Sequence, residues 1–131
     1  MNRIDGSIVH IDRIENYSVT TVSCKHGIDL LSLTLELDDR YREGIRVNLL
    51  FKETDVILAR DAFVSSIANS VNCMITEIAE GKLFSEVHLS TKLGMIRSII
   101  FTSAIAPLGL IIGGEIYAFI RATDVALMIC E

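Results

Sequence analysis

The sequence predicts an all-β protein: two tandem copies of a small barrel of five short strands, each copy carrying one short helical turn. Three observations lead there. Phe51-Lys52-Glu53-Thr54-Asp55-Val56-Ile57-Leu58 returns 69 positions later as Ile120-Arg121-Ala122-Thr123-Asp124-Val125-Ala126-Leu127. Each copy reads apolar residue, cation, any residue, then Thr-Asp-Val-x-Leu, and each follows an apolar run with glycine ahead of it, Gly44 or Gly113-Gly114. Secondly, the stretch from Asn2 to Ile11 matches that from Asn69 to Ile78 at an offset of 67, so a two-residue insertion separates the two matches. Self-similarity at a fixed period marks a duplicated architecture. Thirdly, long helical periodicity is absent, while β-branched runs alternate with turn residues. The copies are assigned to residues 1–62 and 63–131, joined near residues 60–65.

In the first copy, residues 4–14 read as a first strand, with Gly6 allowing a bend or close approach. Residues 16–24 form a second by β-propensity. Lys25-His26-Gly27 is a hairpin turn with a glycine available for positive φ. Residues 28–37 make a third strand, whose leucines at 31, 33, 35 and 37 alternate and so share a face. Residues 38–44 are charged and turn-like, and residues 47–58 supply a fourth and a short fifth strand. The second copy repeats the order. Its strands fall at residues 71–78, 83–89, 95–102, after Gly114, and at 123–129. Leu83, Val87 and Leu89 are expected on one face. Residues 103–110 form a single helical turn, limited by Pro107 and Gly109. Five short strands per copy with a small helical turn before the fourth suggest a closed Greek-key barrel of the OB type.

Composition narrows the role. The chain has 131 residues, half of them hydrophobic, and a net charge of −5. A unit of about 65 residues buries too little surface to stand comfortably alone, so the copies are expected to share a core or to pair with other chains. The acidic balance argues against a direct nucleic-acid partner. Three scattered cysteines without a Cys-x-x-Cys pair fit a reduced, cytoplasmic protein. Charges in Met1-Asn2-Arg3-Ile4-Asp5 leave no export signal visible. The uncharged run between Arg97 and Glu115 holds Pro107 and three glycines and falls short of the ~20 apolar residues of a spanning helix, so membrane insertion is not expected. No Ser-His-Asp order, paired catalytic carboxylates or phosphate-binding glycine loop points to an enzyme.

The residues resemble a known family, the tandem Mop or TOBE (molbindin-type) molybdate-binding domains. That family opens each unit with Ser-Ala-Arg-Asn-x-Leu-x-Gly-x-Val-x-x-Ile, and here residues 66–78 run from Ser66-Ile67-Ala68-Asn69 to Ile78. It closes with Lys-Ala-Ser/Thr-x-Val, similar to Lys52-Glu53-Thr54-Asp55-Val56 and Arg121-Ala122-Thr123-Asp124-Val125. Its central Thr-x-x-Ser-x-x-x-Leu-Gly-Leu keeps Leu108-Gly109-Leu110. The sequence departs from the pattern at Ala68 (arginine), Cys73 (glycine), and Phe101 and Ala104 (the Thr and Ser).

The resemblance implies non-covalent binding of molybdate or tungstate, without catalysis, in a homo-oligomer, dimer or trimer, whose sites lie between units. A doubly charged tetrahedron presents only acceptors and needs donors on several sides, the charge-assisted ones being the stronger. The residues it implies as oxyanion ligands are Lys52, Thr54, Ser66, Ile67, Asn69, Thr102, Ser103, Arg121 and Thr123. A Ser66/Asn69 end meeting Lys52 from the other copy is the most complete site expected. Asp55 and Asp124 would repel an anion and read as turn-capping. The implied function is storage, homeostasis or sensing of the oxyanion. The alternative is a degenerate effector or dimerisation module of a molybdate-responsive regulator or transporter, with weak anion binding or none.

Overall fold

The computed structural model describes residues 1–130. The first repeat forms β1 (Asn2–Ile14), β2 (Tyr17–Ser23), β3 (Asp29–Leu35), β4 (Arg46–Phe51) and β5 (Ile57–Ala59). The second forms β6 (Asn69–Glu80), β7 (Phe84–Thr91), β8 (Gly94–Phe101), β9 (Glu115–Ile120) and β10 (Ala126–Ile129). They make two five-stranded antiparallel sheets, in the orders β10-β4-β1-β2-β3 and β5-β9-β6-β7-β8. The fold is the doubled OB-type barrel that the strand pattern predicts, with one addition.

The fifth strands are exchanged. β5 pairs with β9, Ile57 opposite Phe119, and β10 pairs with β4, Ala126 opposite Leu50. The repeated Thr-Asp-Val motif sits where the chain crosses over. In each copy it forms one 3₁₀ turn, Glu53–Asp55 or Ala122–Asp124. Asp55 N donates to Lys52 O at 3.0 Å and Asp124 N to Arg121 O at 2.9 Å. A single turn redirects the strand without folding it back on its own sheet. Each barrel then closes through a buried serine. Ser32 Oγ on β3 donates to Val125 O at 2.6 Å, and Ser98 Oγ on β8 donates to Val56 O at 2.8 Å. A buried carbonyl left without a donor is costly, so these hydroxyls replace the missing ladder bonds between third and fifth strands.

A second crosswise bond joins the units. Asn2, at the start of β1, is buried and bonds the backbone of Arg97 through both amide atoms, each at 2.8 Å. Asn69, at the start of β6, does the same to Leu31, at 2.7 and 2.9 Å. A primary amide offers one donor and one acceptor side by side, so it mimics a strand residue across the junction. The core is correspondingly continuous, with Ile8, Val22, Leu49 and Val56 in one cluster with Ile75, Leu89, Ile116 and Val125.

Two details of the patterning differ from expectation. Leu31, Leu33 and Leu35 do share a face, but it is the outer one, and Leu30 and Ser32 take the buried positions. Leu83 precedes β7 and is exposed, whereas Ser85 joins Val87 and Leu89 on the inner face. In each case a buried serine with a polar partner takes the inner position: Ser32 bonds Val125 O, and Ser85 bonds Thr102 Oγ1 and Gly81 N. Before β9 the chain makes a 3₁₀ turn, Thr102–Ala104, and one α-helical turn, α1 (Ile105–Leu108), ended by Gly109 at φ 63°. The stretch before β4 makes turns without a helix.

The repeats are not interchangeable inside. Thr20, opposite Ser32 in β2–β3, holds the place of Val87, opposite Ser98 in β7–β8. Its hydroxyl is fully buried and has no hydrogen-bond partner among the described residues. An unsatisfied buried hydroxyl costs about 1–3 kcal/mol. Thr20→Val should therefore raise stability by about 1 kcal/mol, read as a higher urea midpoint at unchanged m. Gly6 lies against β2, where an added Cβ would stand 2.6 Å from both Ser23 O and Val22 Cγ1. Gly6→Ala should lower stability by about 1–3 kcal/mol through overpacking in the same denaturation experiment.

Candidate anion-binding site

Strand register builds the site. Asn69 opposes Ile120 in β6–β9, so the residues entering β6 lie beside those leaving β9. Ser66, Ala68, Arg121, Ala122 and Thr123 line a hollow of about 230 Å³ there. Arg121 takes extended backbone ahead of its 3₁₀ turn, and its Nε donates to Asp124 Oδ2 at 2.9 Å. Asp124 thus orients the guanidinium and makes no capping bond to the turn. The terminal nitrogens of Arg121 keep their donors, since Nε makes its only bond among the described residues. The hydroxyls of Ser66 and Thr123 make no protein hydrogen bond among the described residues. Ala68 and Ala122 contribute small side chains and leave the space between these donors open. The arrangement offers a cation and two hydroxyls from two segments and no carboxylate lining the hollow, which suits a small anion.

Of the residues expected from sequence, Ser66, Arg121 and Thr123 come together here. The others lie elsewhere. Phe51 opposes Asn2 in β1–β4, which places Lys52 beside Met1, away from the Ser66 end it was expected to meet. Thr54 borders a separate apolar hollow with Phe84 and Phe101. The side-chain amide of Asn69 is committed to Leu31. Ile67 is half-buried and gives its N–H to Ser65 Oγ at 3.1 Å. Thr102 Oγ1 donates to Gly81 O at 2.9 Å and meets Ser85 Oγ at 2.8 Å, which ties the β6–β7 turn to β8. Ser103 is exposed on the same 3₁₀ turn, and neither it nor Thr102 lines the hollow. Sequence reasoning passed over Ala68 and Ala122 as lining residues, because their contribution is the absence of bulk; the one available signal was the contrast of Ala122 with Glu53 in the aligned repeats.

The equivalent place in the first repeat differs. Glu53 stands where the second has Ala122, and its Oε2 accepts from the Met1 amino group at 2.8 Å. That hydrogen bond holds the Glu53 carboxyl below its usual range. The adjoining hollow, of about 450 Å³, reaches across to Arg97 and His88 of the other repeat.

A second pair of hollows lies where β1 meets β2 and β6 meets β7, and each contains a cysteine, Cys24 or Cys73. Burial pushes the Cys24 thiol up to about 11, with Asp29 and Asp5 adding to it. Burial likewise pushes Cys73 up to about 12. Burial thus disfavours the thiolate form of both at neutral pH, which argues against a nucleophilic role.

The chain matches no protein-family model. It matches no curated protein sequence. Among solved structures it is similar to the cytoplasmic molybdate-binding protein ModG, in a form with molybdate bound, at a TM-score of 0.90 and 24% identity. The match covers 96% of this chain and 94% of that one. It establishes a shared fold along essentially the whole length.

The burial of two thiols has a direct readout. A disulfide-exchange reagent at pH 8 should titrate one thiol per native chain, Cys130, which is half-exposed. Cys24 and Cys73 should react at a comparable rate only after unfolding.

Proposed function

We propose that this protein binds molybdate or tungstate in the cytoplasm and serves in storage, homeostasis or sensing of the oxyanion. The observation that carries the proposal is the convergence of Arg121, Ser66 and Thr123 on one small hollow. These are the opening and closing segments that the resemblance implied, and they come together in the fold of a molybdate-binding protein. The chemistry is recognition without catalysis. A guanidinium supplies charge and two hydroxyls supply directed donors. The ligand's oxygens are held by hydrogen bonds and its metal is not coordinated by the protein.

Arg121 is more than half exposed, so the pocket is open on one side. A second chain is proposed to cover that side, giving a homo-oligomer, dimer or trimer, in which desolvation strengthens each charge-assisted bond. The net charge of −5 disfavours a polyanionic partner such as nucleic acid.

One observation favours a second reading. Ala68 replaces the arginine of the opening motif and Thr102 is committed to Gly81, so fewer donors remain than the family pattern implies. On that reading the chain is an interaction module of a regulator or transporter with weak anion binding or none.

Calorimetric titration of the full chain with molybdate, tungstate and sulfate separates the two. Saturable heat with molybdate or tungstate is expected, and Arg121→Ala should weaken it at least ten-fold while leaving the circular dichroism spectrum unchanged. Absence of heat with all three anions on folded protein would rule out the binding reading and leave the interaction module.

A further inference from the structure

The two repeats present the same motif in the same register, yet their ends are not equivalent. Asn2 opposes Phe51 as Asn69 opposes Ile120. Stepping outward from those pairs, Lys52 corresponds to Arg121, Thr54 to Thr123 and Met1 to Ala68. Cation and hydroxyl are preserved. The middle position of the turn motif is not, being Glu53 in one repeat and Ala122 in the other. Both belong to the same kind of 3₁₀ turn, with non-helical extended residues on either side. The side chain at that position therefore starts from the same place in each unit. In the second repeat the methyl of Ala122 leaves an open hollow. In the first, the Glu53 carboxylate turns inward to Met1 and lines the cavity that reaches Arg97.

We propose that the chain holds one oxyanion site, in the second repeat, and that Glu53 closes the first repeat's counterpart to anions by placing a carboxylate at that position. This rests on the binding reading above. The physical reason is that a fixed carboxylate a few ångströms from a dianion disfavours it by direct repulsion, and it also competes for the donors the ligand would use. Glu53 is thus a specificity-determining residue: it sets how many anions a chain takes, in whatever oligomer the chain forms.

The test is molybdate calorimetry on the full chain and two variants that exchange the residues between repeats. Wild type should saturate at one molybdate per chain. Glu53→Ala should raise the stoichiometry towards two, and Ala122→Glu should weaken the remaining site at least ten-fold. Both side chains already occupy this turn in one repeat or the other, so each variant should fold, with thermal melting as the check. Two molybdates per wild-type chain, or a Glu53→Ala chain that stays at one with unchanged affinity, would overturn the proposal and leave the binding reading intact. Wild-type protein that takes up no molybdate would instead remove the binding reading on which the proposal stands.

Discussion

The exchange of the fifth strands is the constraint on which the rest of the structure depends. Each repeat of roughly 65 residues lacks the surface to bury a self-sufficient core, and each leaves the edge of its fourth strand open. An open edge exposes a row of unpaired N–H and C=O groups. β5 and β10 cover those edges reciprocally, and Ser32 and Ser98 complete the closure with hydroxyl bonds to Val125 and Val56. The two Asn side chains add a second reciprocal pair. Neither barrel is complete without the other's chain, which is why the core runs through both.

The same crossover explains where the hollow beside Arg121 forms. The 3₁₀ turn that sends the chain into β10 is the turn that carries Arg121, Ala122 and Thr123. Its geometry is held at one end by the β6–β9 ladder and at the other by the exchanged strand. Asp124, inside the turn, fixes the guanidinium. A binding group on a short turn pinned at both ends is pre-organised, and little conformational entropy is lost when a ligand arrives. The motif first visible as a repeat is therefore both the hinge of the fold and, in the second copy, a wall of the hollow beside Arg121.

Much of the architecture was legible from residues alone. The offsets between the motifs located both repeats, and the β-branched runs located ten strands to within a few residues. The small site was half legible: Ser66, Arg121 and Thr123 converge, while Asn69 and Thr102 bind their own protein. A donor side chain looks the same in sequence whether its partner is a ligand or a distant carbonyl. Leu31 and Leu33 make a related point, since they share a face as their alternation predicts. Alternation shows that residues share a face but not which face is inner, and a buried serine outranked them because it had a carbonyl to satisfy.

What the sequence by itself determined is therefore local and periodic: strand, turn, duplication, and the pairing of a cation with a hydroxyl two residues on. Those properties follow from propensity and spacing, which neighbouring residues decide among themselves. Only the tertiary structure decided which sheet each fifth strand joins, that Ser66 lies beside Arg121 and not Lys52, and that Glu53 meets the Met1 amino group while Ala122 lines the hollow beside Arg121. These depend on contacts between segments far apart along the chain, such as Ser32 with Val125 and Asn2 with Arg97. Such contacts are chosen by the burial and hydrogen-bond demands of the assembled core, and no window of sequence contains both partners.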